Sequence, residues 1–409
     1  MDEKQLPKLS SYRWVILAII SLMDATSSYI QYQISALATQ VMPALHIAPA
    51  QFQSLLMAPM FVAVFLSIPA GSLGDKYGAK KIVTFGCFVS LIGAYGRIIA
   101  TNFATMMIML LLFGVYMALL SANALKIFGI WFKQDTKLAM GVFFASASIG
   151  IMLTQLTSHM FPSVKAAYIF SSTLLLILTV CWILFVKEKP EGEEVPPVQA
   201  QAQAPQAKPE SAMKYFKVVA RSKKTWLVGL AGGLGVAASE SFSGILPQAF
   251  AARGMTPAAG SMIAAIATIG SLCGSLFGPG LINKAKKAKP VMIVFTLIGG
   301  FLMAMTWFIP LGLPLTIALI LGGLFGAMTG PIMNSMPIQF PEVGPKYAGS
   351  AGGLVSTVSL LLSSCLPTVI GLIAGRNYEL TFIIQGIFFA ITAIIIGILP
   401  DANGSRPRR

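Results

Sequence analysis

Residues 105–128 read TMMIMLLLFGVYMALLSANALKIF, an apolar run with Asn123 and Lys126 as its strongly polar members. About 20 such residues carry a helix across a bilayer's hydrocarbon core. Comparable runs recur near 14–40, 51–70, 82–101, 138–160, 166–186, 225–250, 257–278, 290–310, 314–336, 348–374 and 380–399. The chain has 409 residues, 56% hydrophobic and 11% charged, with a mean hydropathy of +0.78. These values lie outside the range of water-soluble domains and predict an all-α membrane protein with twelve transmembrane helices.

Between the sixth and seventh runs lies KEKPEGEEVPPVQAQAQAPQAKPE, a tract too poor in apolar residues to build a core. It reads as a cytoplasmic linker and divides the chain into a six-helix bundle over 1–186, a linker over 187–224 and a second bundle over 225–409. The segment SAMKYFKVVARSKK, residues 211–224, suits a short amphipathic helix on the membrane surface. One constant offset pairs Arg13 with Arg221, Pro49 with Pro257, Leu73 with Leu281, Lys76 with Lys284, Gly114 with Gly322 and Phe132 with Phe340. A shared offset through loops and helices alike implies a duplicated unit in parallel orientation, and such repeats place a solute pathway at the seam between the halves.

Lys and Arg number 29 against 14 Asp and Glu. They cluster between the apolar runs, on one side, so they read as topology signals rather than as a nucleic-acid surface. Arg97, Lys165, Arg253 and Arg376 fall on the other side, and Lys126 stays within a span. Both termini are therefore expected in the cytoplasm. Cys87, Cys181, Cys273 and Cys365 stand alone inside spans and the histidines are His46 and His159, so no disulfide framework, metal site or cofactor is expected. The first run carries Asp24 and no small-residue cleavage site, which predicts a retained helix. Short loops without an N-glycosylation sequon on the outer side suit a bacterial inner membrane, and a monomer is expected.

The turn after the second run reads Gly71-Ser-Leu-Gly-Asp75-Lys-Tyr-Gly78-Ala-Lys80-Lys81, an acid among bases with glycines for tight backbone geometry. It resembles the signature G-x-L-x-D-[RK]-x-G-x-[RK]-[RK] between the second and third helices of the major facilitator superfamily. A degenerate copy, Gly280-Leu281-Ile-Asn283-Lys284, stands at the repeat offset. The resemblance covers the whole chain and implies the major facilitator fold, with two pseudo-symmetric six-helix bundles and secondary transport by alternating access. It also implies that Gly71, Asp75, Gly78, Lys80 and Lys81 form a cytoplasmic gate motif that holds the halves together in the outward-open state. Two superfamily patterns are missing: Leu110 stands where an Arg usually precedes the glycine of the fourth helix, and 141–150 lacks the antiporter proline.

An ionisable residue deep in a span is a functional candidate by default. Asp24, Lys126 and Glu240 qualify. Asp24, Ser28, Gln31 and Ser35 share one helical face, flanked by Tyr29, Tyr32 and Gln33. Interhelical hydrogen bonding would explain that face equally in kind. Lys126 shares a face with Tyr116 and Asn123, and Asn334 is its repeat counterpart; snorkelling to the interface is the alternative. Glu240, among small residues, can carry a proton through a span, and Asp24 is a second proton site that could pair with Lys126. By the repeat offset the two acids differ in depth by roughly 12 Å, too far for a shared proton.

The first span and the Pro341-Glu342-Val343-Gly344 run are similar to the oxalate/formate antiporter and the organic-anion and cyanate permease groups. The eighth and eleventh spans hold none of the cations that oxalate carriers use. The expected activity is movement of a small organic anion, a monocarboxylate, with proton coupling. Tyr29, Gln31, Tyr32, Asn123, Lys126 and Asn334 would touch solute, and Glu240 with Asp24 would carry protons. Transport of an organic cation or zwitterion, with Asp24 or Glu240 as counter-charge, is the alternative. A sensor or an enzyme in a transporter fold is the remote alternative, for which no hydrolase, metalloprotease or phosphate-loop motif speaks.

Overall fold

The computed structural model describes residues 11–189, 218–285, 287–340, 343 and 348–400. Most of the linker, half of the expected surface helix over 211–224, and Pro341, Glu342 and Gly344 lie outside them. The helices are α1 (Arg13–Ala36), α2 (Ala38–Leu45), α3 (Pro49–Tyr77), α4 (Ala79–Gly96), α5 (Phe103–Phe132), α6 (Thr136–Thr157) and α7 (Val164–Phe185). After the linker follow α8 (Lys223–Ala252), α9 (Pro257–Lys284), α10 (Ala288–Met305), α11 (Leu313–Ala327), α12 (Gly330–Ser335), α13 (Ala348–Ala374) and α14 (Tyr378–Ile398). Ten segments are long and apolar enough to span a membrane by themselves; α4, with Lys80 and Lys81, and α8 complete the two sets of long passages.

Local chemistry sets the helix starts. Asn102 accepts from the Thr105 amide at 2.9 Å, Ser163 from Ala166 at 3.1 Å, and Asn377 from Leu380 at 3.0 Å. Each satisfies an amide that the first helical turn leaves free. Pro49 and Pro257 open α3 and α9, where the missing N–H costs nothing.

The helical ends depart from the hydropathy limits. The second span, expected to end near 70, runs as α3 to Tyr77, so most of the gate motif is helical and its turn is reduced to Gly78. Hydropathy marks where hydrocarbon ends, whereas backbone hydrogen bonds continue into the polar interface. The first span breaks at Leu37 instead of reaching 40 unbroken, and the tenth breaks at Met328–Thr329 before Pro331.

Packing repeats between the halves. α1 lies on α6 as α8 lies on α13, and α3 lies on α5 as α9 lies on α11. The two main crossings between bundles, α3–α13 and α6–α9, are images of one another under the same correspondence. Each buried apolar cluster draws its residues from one bundle only: one gathers Phe113, Phe128 and Trp182, another Phe242, Phe382 and Phe389. The seam therefore lacks a shared apolar core, and two stable bodies can part along it.

Candidate functional site

All hydrogen bonds that cross the seam between described residues lie at one end. Ser35 Oγ donates to Gly244 O at 2.7 Å, Gln53 Nε2 to Ser241 Oγ at 3.2 Å, and Ser54 Oγ meets Thr368 Oγ1 at 3.1 Å. His159 Nε2 meets Ser261 Oγ at 2.9 Å, and Ser261 Oγ reaches Ala36 O at 3.5 Å. These residues sit where α1 and α6 end and α3 and α9 begin, far from the lysines of the gate motif. Trp226 and Leu230 lie about five and three turns before Gly244 and Ser241 on the same stripe of α8, yet they are 45% and 37% exposed. The stripe that is sealed at the far face carries exposed side chains at the basic face.

Glu240 lies one turn before Gly244 and two turns after Gly233, which packs on Ser359 and Leu362 of α13. Its side chain is therefore set at the seam between α13 and the first bundle, just inside the sealed end. It is half-buried, with no hydrogen bond or ion pair among the described residues. Asp24, also half-buried, accepts from Ser146 Oγ of α6 at 3.2 Å. No bond joins the two acids.

Lys126 is directed elsewhere. Its Nζ lies 2.7 Å from Asp75 Oδ1 and donates to Gly74 O at 3.0 Å. Thus the sequence's intramembrane cation and its gate acid are one pair, between α5 and the basic end of α3, with side chains 28% and 47% exposed. The expected pairing of Lys126 with Asp24 is not the one formed here, because one turn at the helix end brings Asp75 within reach of the long lysine stem. Asn123 is fully buried between α5 and α3, donating to Ala70 O at 3.3 Å and Leu119 O at 2.9 Å. Gly74 exists for this contact, since a Cβ there would stand 1.8 Å from Asn123 Oδ1. The side chain of Asn334 lies outside the described residues.

The aromatic and amide groups of α1 point three ways. Tyr29 Oη meets Thr157 Oγ1 at 2.7 Å, towards α6 and away from Gln31, whose Nε2 donates to Leu56 O at 3.0 Å. Tyr32 is 2% exposed and its hydroxyl has no partner. In the gate motif, Gly78 has φ +93°, a conformation that favours glycine. Lys80 donates its amide to Glu188 Oε1 and its Nζ to Ile183 O, which docks the motif on the end of α7. Lys81 is exposed, and a Cβ on Gly71 would meet open space.

Several polar residues escaped a search built on charge and spacing. Gln53, Gln155 and Gln385 are buried at the sealed seam; their signal was simply a neutral amide inside a span. Arg97, placed on the outer side by the charge pattern, is a buried ion, 2% exposed. At the end of α4 it folds back to donate to Ile30 O at 3.1 Å and Ser171 Oγ at 3.3 Å, over the Tyr168 ring. Carbonyls and a ring face spare the guanidinium from water where no acid is needed.

Two bundles of membrane helices, joined at one face by polar contacts between their helices, have the architecture of a polytopic membrane transporter. The sequence profile of the Major Facilitator Superfamily matches residues 15–367. This chain belongs to the Major Facilitator Superfamily. Among characterised relatives, the galacturonate transporter of Dickeya chrysanthemi is 24% identical over 255 residues, covering 59% of this chain and 72% of that protein. A bacterial homolog of the human lysosomal transporter Spinster, in an inward-facing and occupied conformation, superposes with a TM-score of 0.72 at 14% identity, covering 95% of this chain and 97% of the other. The nucleoside transporter NupG gives 0.71 at 15% identity, covering 94% and 99%.

Proposed function

We propose that this chain moves a small organic anion, a monocarboxylate, across a bacterial cytoplasmic membrane by alternating access with proton coupling. Both termini and the gate motif then face the cytoplasm, and the polar contacts of the seam close its outer face. The observation that carries the reading is Glu240: a carboxyl without a hydrogen bond or ion pair among the described residues, set beside the sealed far-face seam. A group there can load a proton when the far face is open and release it when the basic face is open. The likeness to a galacturonate transporter supports a carboxylate as cargo.

In this reading Lys126 leaves Asp75 to meet the solute carboxylate, with Asn334 opposite. Gln31 and Tyr32 line its body, Tyr29 braces α1 against α6 instead, Asn123 holds α5 against α3, and Asp24 is an accessory proton site. Gly71, Asp75, Gly78, Lys80 and Lys81 form the cytoplasmic gate. An organic cation is the second reading, favoured because Lys126 is neutralised by Asp75 while Asp24 and Glu240 have no cationic partner among the described residues. Uptake into proteoliposomes separates the two. Acid-driven uptake of a monocarboxylate that Lys126→Ala abolishes supports the first. Amine binding lost in Asp24→Asn, with Lys126→Ala silent, overturns it.

A further inference from the structure

The sealed seam contains a belt of polar side chains contributed by both bundles. Gln155 Nε2 donates to Ser35 Oγ at 3.4 Å, and Ser35 Oγ donates to Gly244 O at 2.7 Å. One turn away, Ser241 Oγ accepts from Gln53 Nε2 at 3.2 Å and from Gln385 Nε2 at 3.0 Å. Tyr32 lies one turn before Ser35 on α1. Each glutamine thus uses one end of its amide and leaves the other idle. Oε1 of Gln53, Gln155 and Gln385, and the Tyr32 hydroxyl, have no partner although their side chains are at most 2% exposed. Turning an amide over exchanges its oxygen for its nitrogen but still leaves one polar end over.

Buried polar groups are nearly always satisfied; of the twelve buried side-chain atoms without a partner among the described residues, four gather along this one belt, and the gathering points to a shared partner absent in the sealed state. Two of the bonds that close the belt, Ser35–Gly244 and Gln53–Ser241, cross the seam, so the belt opens whenever the far face opens. We infer that the opened belt is a binding site for the hydroxyl groups of the solute. A hydroxyl donates and accepts, so it satisfies a free amide end of either kind and bridges two neighbouring ends. An ionised carboxylate only accepts, so it would satisfy the donors of the opened belt but none of its carbonyl oxygens, while a hydrocarbon body would leave every orphan unsatisfied. The belt therefore selects a polyhydroxylated skeleton, and with the anion reading above, on which this identification rests, the solute is a sugar acid. As the solute leaves towards the basic face, Ser241 and Gly244 O take over the groups it held, and the far face seals.

The test uses the purified whole chain in proteoliposomes, preloaded for counterflow and challenged with three six-membered-ring probes. These are a hexuronate, the corresponding neutral hexose and cyclohexanecarboxylate. A site built for hydroxyls rejects analogues lacking them steeply, so the hexuronate should exchange and cyclohexanecarboxylate should compete at least about tenfold more weakly. Gln53→Leu and Gln385→Leu should erase that preference. Equal competition by cyclohexanecarboxylate overturns the belt while leaving acid transport standing. Preference for the hexose, erased by the same variants, supports the belt and overturns the anion reading. Should the leucine variants fail to fold, mono-deoxy hexuronates on the unaltered protein decide: at least about tenfold weaker competition on loss of one hydroxyl supports the belt, and no change for any position overturns it.

Discussion

Gly371 offers a way to push the two bundles apart by one methyl group. At the far-face end of α13 its Cβ position lies 2.8 Å from Ala50 Cα, 3.0 Å from Ala50 N and 3.2 Å from Pro49 O, all backbone atoms at the start of α3. Ordinary contact begins near 3.4 Å, so Gly371→Ala demands a separation of about 0.6 Å that no rotamer change can supply. Overpacking of this kind costs about 1–3 kcal/mol. The clash crosses the seam, so it is felt only while the far face is sealed, and it should favour the far-face-open state by about 5- to 150-fold. Spin labels on Met160→Cys and Leu313→Cys, exposed far-face positions on opposite bundles at 79% and 72%, would report this by electron–electron distance measurement in a cysteine-free background. Gly114→Ala serves as the contrast. Its Cβ would meet Pro59 Cα at 2.7 Å inside the first bundle, so it should lower Tm without changing the distances. A folded Gly371→Ala protein with an unaltered far-face distance distribution would refute the seam assignment.

Glu240→Gln should abolish uptake driven by a pH gradient while preserving counterflow at equal pH; concentrative uptake persisting in the variant would remove Glu240 from proton coupling. Gly74→Ala should displace Asn123 from its two carbonyl partners and cost about 1–3 kcal/mol, read as a lower Tm. Asn123→Ala should suppress that loss in the double variant, and additive losses would contradict the packing described. The Lys126–Asp75 pair is partly exposed, so a double-mutant cycle of Lys126→Ala and Asp75→Asn on thermal stability should give a coupling of about 0.2–1 kcal/mol. Coupling indistinguishable from zero would show the pair to be incidental.

Much of the site's raw material was visible before the fold. Asp24, Lys126 and Glu240 stand out because charge inside an apolar run is rare. Their partners did not stand out. Lys126 meets Asp75 because α3 continues for two turns beyond its expected end, a length that hydropathy does not encode. Gln53, Gln155 and Gln385 lie on three different helices, and nothing along the chain marks them as neighbours; each alone reads as one polar residue in a span. Arg97 counted only as an outer-side charge near the end of its run, yet the chain folds it inward onto Ile30 O.

Sequence alone determined the membrane as solvent, the helical passages, their duplication and the family signature. Those properties are sums over consecutive residues or matches at a fixed offset, and they survive any change in how the helices are tilted or rotated. Tertiary structure decided which face of the seam is sealed, which carboxyl is left without a partner and which neutral side chains meet there. Rotation of a helix by a fraction of a turn, or a few kcal/mol between two packings of the same bundles, exchanges those contacts without altering a single local pattern.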